Sequence, residues 1–291
     1  MGYRCFEVEE EGGVAHLRMS RPEEYNSMIR EFWIELPEIV GRLDDAGKTR
    51  AIVISSTGKH FCAGLDLTLL SGGGSPGQFD LSRARASSRE TVLALQEKLT
   101  CLEKARMPVL VAVQGGCIGG GIDLSTACDM RYCSEDAFFC VQEINVGLAA
   151  DVGTLQRLPK VIPEGHAREM AYTGRRMNST WARDVGLVNA VYPDHASLVE
   201  GVLEIAGEIA ERSPLAMWGS KEMLNFARDH SVAEGLNYVA TWQAGMFHGE
   251  DTKEAFEARQ EKRKAEYADL PPRSRGFSTL RVLCVEVPQR P

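Results

Sequence analysis

The sequence predicts an α/β protein built on a parallel sheet, with a separate helical region after it. Two observations carry this reading. Short β-branched runs closed by turn residues alternate with helically periodic stretches in the first half of the chain, and no strand-like run follows about residue 200. "VAHLRMS" at 14–20 alternates in polarity, while "RAIVISS" at 50–56 and "PVLVAVQGG" at 108–116 are apolar runs ending in turn signals, so all three are predicted strands. Between them, a helix is predicted over roughly 30–45, after "NSM". A second covers roughly 80–104, where Leu81, Val92, Leu95, Leu99 and Leu102 recur at near-helical spacing. The β-α-β-α-β order calls for crossovers and hence parallel neighbours.

"GGGSPGQ" at 72–78 is too short for a domain linker and reads as a mobile loop. Four helical segments, "SLVEGVLEIAGEIAERS", "PLAMWGSKEMLNFARDH", "SVAEGLNYVATWQAGMFHG" and "DTKEAFEARQEKRKAEYADL", follow, separated by Ser-Pro, His-Ser and Gly-Glu-Asp breaks. The chain is thus expected to comprise a core at 1–199, a helical region at 200–268 and an unpatterned tail at 269–291, its order set by a neighbour.

With 44% apolar and 25% charged residues among 291, the composition is that of an ordinary folded protein. The net charge of −8 and the scattered Lys and Arg residues give no footprint for a polyanion, so nucleic acid is not an expected partner. The eight cysteines (5, 62, 101, 117, 128, 133, 140 and 284) contain no C-x-x-C and read as reduced core thiols in a cytosol-like compartment. No apolar stretch reaches the length of a membrane span. The beginning "MGYRCFEVEEEGG" is acidic rather than leader-like, and "VPQRP" is no peroxisomal tripeptide; a cytoplasmic location is therefore expected.

Nucleotide motifs fail: "GKT" at 47–49 would need a glycine where Arg42 stands, and "GGCIGGGID" contains no G-x-G-x-x-G. The six histidines never fall at ligand spacing, so no metal site is expected, and no serine sits in a G-x-S-x-G elbow. What remains is two glycine-rich corners and three carboxylates. In "HFCAGLDL" at 60–67, a chain leaving a strand frees the N–H groups of Gly64 and Leu65 from any ladder partner. In "GGCIGGGIDLSTACD", Gly119, Gly120 and Gly121 open a predicted buried helix whose first N–H groups lack intrahelical acceptors and carry the positive dipole end. Two such groups facing one point would form an oxyanion hole. Taken singly, these glycines also suit tight turns.

Asp123 lies four residues after Gly119, and Glu143 follows 20 residues later, after strand-like "AFFCVQ". Alone, the first also reads as a satisfied buried carboxylate and the second as a solvated turn residue. Asp151, eight residues beyond Glu143 among "GLAA" and "VG", has no charge partner nearby in sequence. Held from water there, its ionised form would be disfavoured, tuning it for proton transfer near neutral pH.

"HFCAGLDL", "AVQGGCIGGGIDLSTACDMRYC" and "QEINVGLAADVGTLQRLPKVI" together resemble the crotonase superfamily, the enoyl-CoA hydratase/isomerase family, and within it the Δ3,5-Δ2,4-dienoyl-CoA isomerases. The likeness runs from about residue 5 to 267. It implies a spiral of ββα repeats followed by helices that build a homo-trimer, often paired into a homo-hexamer. It also implies an acyl-CoA substrate bound along Ala63, Gly64, Leu65, Asp66, Leu67 and Gly120, its thioester oxygen held by the Leu65 and Gly120 N–H groups. Asp151 stands where hydratases of the family usually carry glycine and dienoyl isomerases carry aspartate. The implied roles are Asp151 as base at C2, Glu143 as acid at C6, and Asp123 between them as a coupled third carboxylate. No metal or redox cofactor is implied. The alternatives are an enoyl-CoA hydratase tolerating Asp123, where hydratases usually carry Glu, and a non-catalytic acyl-CoA-binding or scaffold protein. Three retained carboxylates disfavour the latter, and the acidic balance disfavours RNA binding.

Overall fold

The computed structural model describes residues 2–71, 80–246 and 249–273. The predicted loop at 72–78 and the tail beyond 273 lie outside the described residues. The chain begins with a hairpin of β1 (Phe6–Glu11) and β2 (Val14–Met19), crosses through α1 (Phe32–Ala46) and enters β3 (Ala51–Ser56) parallel to β2. After α2 (Leu67–Ser71) and α3 (Leu81–Lys104) it returns as β4 (Val109–Val113), parallel to β3. The predicted β-α-β-α-β order is present. β1 was not expected. "FEVEEE" lacks clean alternation because it is a sheet edge, where outward acidic residues guard unpaired backbone groups.

The predicted strand at 108–116 is two strands. At Gly115 (φ +55°) a Cβ would fall 2.1 Å from the Lys59 carbonyl oxygen, and there the chain leaves the first sheet and enters a second as β5 (Gly116–Ile118). Further turns repeat the pattern: α4 (Gly120–Ala127), β6 (Met130–Ser134), β7 (Phe138–Cys140), α5 (Thr154–Val161), α6 (Glu164–Thr173), β8 (Met177–Asn178), α7 (Ser179–Asp184) and β9 (Ala190–Tyr192). One sheet runs β1-β2-β3-β4-β6-β9 and the other β5-β7-β8, the latter extended by an isolated bridge between Cys62 and Cys117. Alternate ββ pairs thus feed two sheets, the spiral that the resemblance implies.

Every residue of β3 is buried, as a central parallel strand requires. Period-2 alternation sends Ile52 and Ile54 to a core shared with Phe32, Leu36 and Leu99, and Ala51 and Val53 to a second core under α8 (His195–Ala210), through Leu198, Val202 and Ala206. Three further helices, α9 (Pro214–Ala227), α10 (Val232–Met246) and α11 (Glu250–Glu261), complete the predicted helical region. Trp218 and Trp242 meet edge to face at 5.0 Å between α9 and α10. Residues 270–273 fold back on α1: Leu270 N–H donates to Gly47 O, and Arg106, paired at 2.8 Å with Asp44, donates to Pro271 O. The seven described cysteines are free thiols.

Candidate active site

The two glycine corners meet. Gly64 takes φ +88°, which only glycine holds without strain, and a Cβ there would lie 2.8 Å from Ile118 O and 3.2 Å from Gly120 N. A Cβ on Gly120 would stand 3.5 Å from Leu65 N and 2.8 Å from the Met28 sulfur. Around Leu65 the backbone is occupied, with Met28 N–H donating to Gly64 O at 2.8 Å and Asp66 N–H to Met28 O at 3.2 Å. The Leu65 and Gly120 N–H groups themselves donate to no acceptor among the described residues. Gly120 opens α4, buried along its whole length, so its amide also carries the helix dipole. Of the other predicted contact residues, Ala63 is half-buried and Leu67 is 69% exposed. Asp66 is engaged locally, accepting from Ser27 Oγ at 2.8 Å and Thr68 N–H at 3.0 Å.

The three predicted carboxylates are close enough to feel one another's charge, and Glu143 lies beside the Gly119–Gly120 corner. Glu143 begins a 3-10 turn (Glu143–Val146), and its Oε1 would be 3.2 Å from a Cβ on Gly119, the residue before Gly120. Its Oε2 is buried with no hydrogen-bond partner among the described residues. Burial, reinforced by the charges of Asp123 and Asp151, pushes the Glu143 carboxyl up to about 7. Asp123, 1% exposed on α4, accepts from the Thr154 N–H at 2.6 Å and the Thr154 hydroxyl at 2.7 Å, both on Oδ1. Burial raises its pKa too, opposed by the Thr154 bonds and by Arg157, with Asp151 adding to the rise.

Asp151 differs from expectation. It is exposed, on the loop leading into α5, and its carboxylate has no hydrogen-bond partner among the described residues. The apolar run around it does not bury it, because Ala150 turns inward while Ala149 and Asp151 turn out. Asp123 and Glu143 are the desolvated acids of the set, and Glu143 is the one with a buried oxygen left unpartnered among the described residues.

Sequence reasoning missed the residues that hold this loop. Thr154 anchors it to Asp123, 31 positions earlier, and Gln96 Nε2 donates to the Asp151 carbonyl at 2.7 Å. The Arg157 guanidinium donates to Val152 O at 3.2 Å and pairs with Glu103 at 2.9 Å. A threonine opening a helix just after a glycine was the one local signal available. Geometrically, the site offers two free N–H donors, a desolvated carboxyl in Glu143, a second one in Asp123 held by Thr154, and an exposed carboxylate in Asp151. That combination suits stabilising a developing oxyanion while a proton leaves one carbon and reaches another. Among the described residues, no group of three or more His, Cys, Asp or Glu is arranged to hold a metal ion.

The family model for enoyl-CoA hydratase/isomerase matches residues 9–270. The chain is 41% identical to a peroxisomal Δ3,5-Δ2,4-dienoyl-CoA isomerase of Arabidopsis thaliana over 92% of its own length and 98% of that protein. It is 44% identical to the mitochondrial Δ3,5-Δ2,4-dienoyl-CoA isomerase of Homo sapiens, over 86% of its length and 77% of that protein. Among solved structures, an enoyl-CoA hydratase from Bacillus anthracis superposes with a TM-score of 0.82 at 30% identity, covering 91% of this chain and 99% of that one. These relatives correct the expectation of a cytoplasmic location: their peroxisomal and mitochondrial names point to an organelle.

Proposed function

The chain belongs to the enoyl-CoA hydratase/isomerase family, and we propose that within it the protein is a Δ3,5-Δ2,4-dienoyl-CoA isomerase of fatty acid β-oxidation. The carrying observation is the split environment of two carboxylates eight residues apart: Glu143 desolvated with a bare Oε2, Asp151 in water. Paired acids in unlike surroundings divide into donor and acceptor. Asp151 removes a proton from C2 of a 3,5-dienoyl thioester, and the electron pair delocalises onto the thioester oxygen as an extended enolate that keeps the C3–C4 and C5–C6 double bonds. The Leu65 and Gly120 N–H groups hold that oxygen. Glu143 delivers its proton to C6, which closes the 2,4-diene and restores the carbonyl. Solvent then resets both acids. A dienoyl chain laid between the carboxylates takes Asp151 out of water during the reaction. Asp123 is already engaged with Thr154 through Oδ1, which disfavours the water-sharing role of a hydratase. The chemistry asks for no cofactor; the acyl-CoA is the substrate.

The test is spectrophotometric. Product formation extends conjugation to the thioester carbonyl, so absorbance on 3,5-dienoyl-CoA moves to longer wavelength. A protein that leaves this substrate unchanged but hydrates 2-enoyl-CoA would overturn the reading. A second expected result concerns the hole itself. Gly64→Ala forces a side chain into φ +88° and against Ile118 O, spreading the two donors, so turnover falls by roughly 100-fold, as when one oxyanion donor is lost. Steady-state kinetics beside a thermal melt check that the loss is chemical rather than global.

Assembly is proposed as a homo-trimer, or a homo-hexamer of two trimers. α9–α11 leave Leu224 at 73%, Leu236 at 64% and Phe256 at 62% exposure, with Val232 at 81% at the start of α10. Apolar exposure on that scale marks an interaction face. Light scattering should give three or six times the 32.0 kDa chain mass, and a monomer would end this part of the proposal.

A further inference from the structure

His60 precedes the first oxyanion corner and belongs to no carboxylate machinery. Its position is nonetheless specific. The segment 61–62 and β5 are zipped by backbone bonds: Phe61 N–H to Gln114 O at 2.9 Å, Cys62 N–H to Gly116 O at 3.0 Å and Ile118 N–H to Cys62 O at 3.0 Å. The next rung would run from Gly116 N–H to the His60 carbonyl. That carbonyl is instead used by Asn26 Nδ2 at 3.1 Å, and Gly116 N–H donates to the His60 ring at Nδ1, at 2.9 Å. The ring is wedged between Tyr25, at 5.4 Å, and Phe138, edge-on at 6.0 Å. Cβ atoms added at Gly115 or Gly116 would come within 2.9 or 3.3 Å of Nδ1, so nothing but backbone fits there.

We propose that His60 is a positioning residue: its neutral ring, accepting at Nδ1, replaces the missing rung that sets the spacing between the Leu65 and Gly120 donors. A ring that accepts at Nδ1 carries its proton on Nε2. Protonation puts a second N–H opposite the Gly116 N–H, donor against donor, and the rung is lost. Burial, then Lys59 from its own segment and Arg176 from the stretch after α6, hold the ring neutral to lower pH than the ordinary 6.5. Asp136, in the turn between β6 and β7, pulls the other way, and the Tyr25 phenol flanks the ring. The rung therefore stands at neutral pH and is lost as pH falls through the His60 value.

The oxyanion role rests on the reaction proposed above, so the test needs a readout independent of turnover. In the deuterated, ¹⁵N-labelled intact protein, the His60 ring should be the Nε2–H tautomer. The Gly116, Leu65 and Gly120 amide resonances should shift with the midpoint of its titration. An Nδ1–H tautomer, or Leu65 and Gly120 amides that stay still while the ring titrates, would overturn the proposal. Kinetics give a second arm. His60→Asn keeps an acceptor near the Nδ1 position and should retain kcat within about threefold, with a shallower fall on the acid side, while His60→Leu should lose about tenfold in kcat at nearly constant KM. Equal kcat in both variants would also defeat it. A native protein inactive on 3,5-dienoyl-CoA whose amides move as described would sink the reaction and leave the His60 linkage standing.

Discussion

Asp151→Asn is expected to lower isomerisation of 3,5-dienoyl-CoA by ~100- to 10,000-fold, the range typical of losing a positioned base. The substitution is isosteric, and the side chain it alters is exposed and unpartnered among the described residues, so folding should be unmoved within about 0.5 kcal/mol. What disappears is the first proton transfer. Incubation in D2O separates this from a failure of binding: the native enzyme should wash deuterium into C2 of the substrate, and the variant should not, with KM nearly unchanged. C2 exchange at the native rate in Asp151→Asn would remove the aspartate from the mechanism. That result would leave Glu143 and the oxyanion hole to be explained by another base.

The second large effect is Glu143→Gln. Isomerisation should again fall ~100- to 10,000-fold, but here C2 exchange should persist, because the extended enolate still forms and only its protonation at C6 is lost. The two variants thus dissect the reaction into halves. With the Glu143 carboxyl near 7, the donating form is neutral, so native kcat should decline as pH rises through about 7. The same shift has a sign for stability. The folded value lies above the ordinary 4.5, so between about 4.5 and about 7 the folded protein holds a proton that the unfolded chain releases, and stability falls across that window as pH rises. Above it, the charged, buried carboxylate costs on the order of 3 kcal/mol for a rise from 4.5 to about 7. Glutamine abolishes that term. The variant should therefore melt higher than the native protein at pH 8, with the gap narrowing towards pH 5. An equal gap at both pH values would mean that Glu143 is not desolvated.

Much of this was legible in the chain. β3 and β4 announce themselves because strands buried on both faces are written in β-branched residues, and α1 and α3 because their apolar stripes repeat at helical spacing. The glycine corners are visible because close backbone approach leaves glycine as the only fit, as at Gly64 against Ile118. β1 was hidden because an edge strand is written in charge, and the break at Gly115 because a run of apolar residues carries no mark of which sheet it joins. The solvation of Asp151 could not be read from neighbours such as Ala150, since a loop alternates its sides without a fixed period. The tie from Asp123 to Thr154 spans 31 residues and is a property of the folded arrangement alone.

The thioester grip proposed for this molecule is made of main-chain atoms. Its two donors hang from the three short rungs that join Phe61 and Cys62 to Gln114, Gly116 and Ile118, and a polypeptide ladder has the same dimensions whatever side chains decorate it. Substitutions among the acids around the cleft would therefore change which carbon gains or loses hydrogen while leaving these backbone rungs in place.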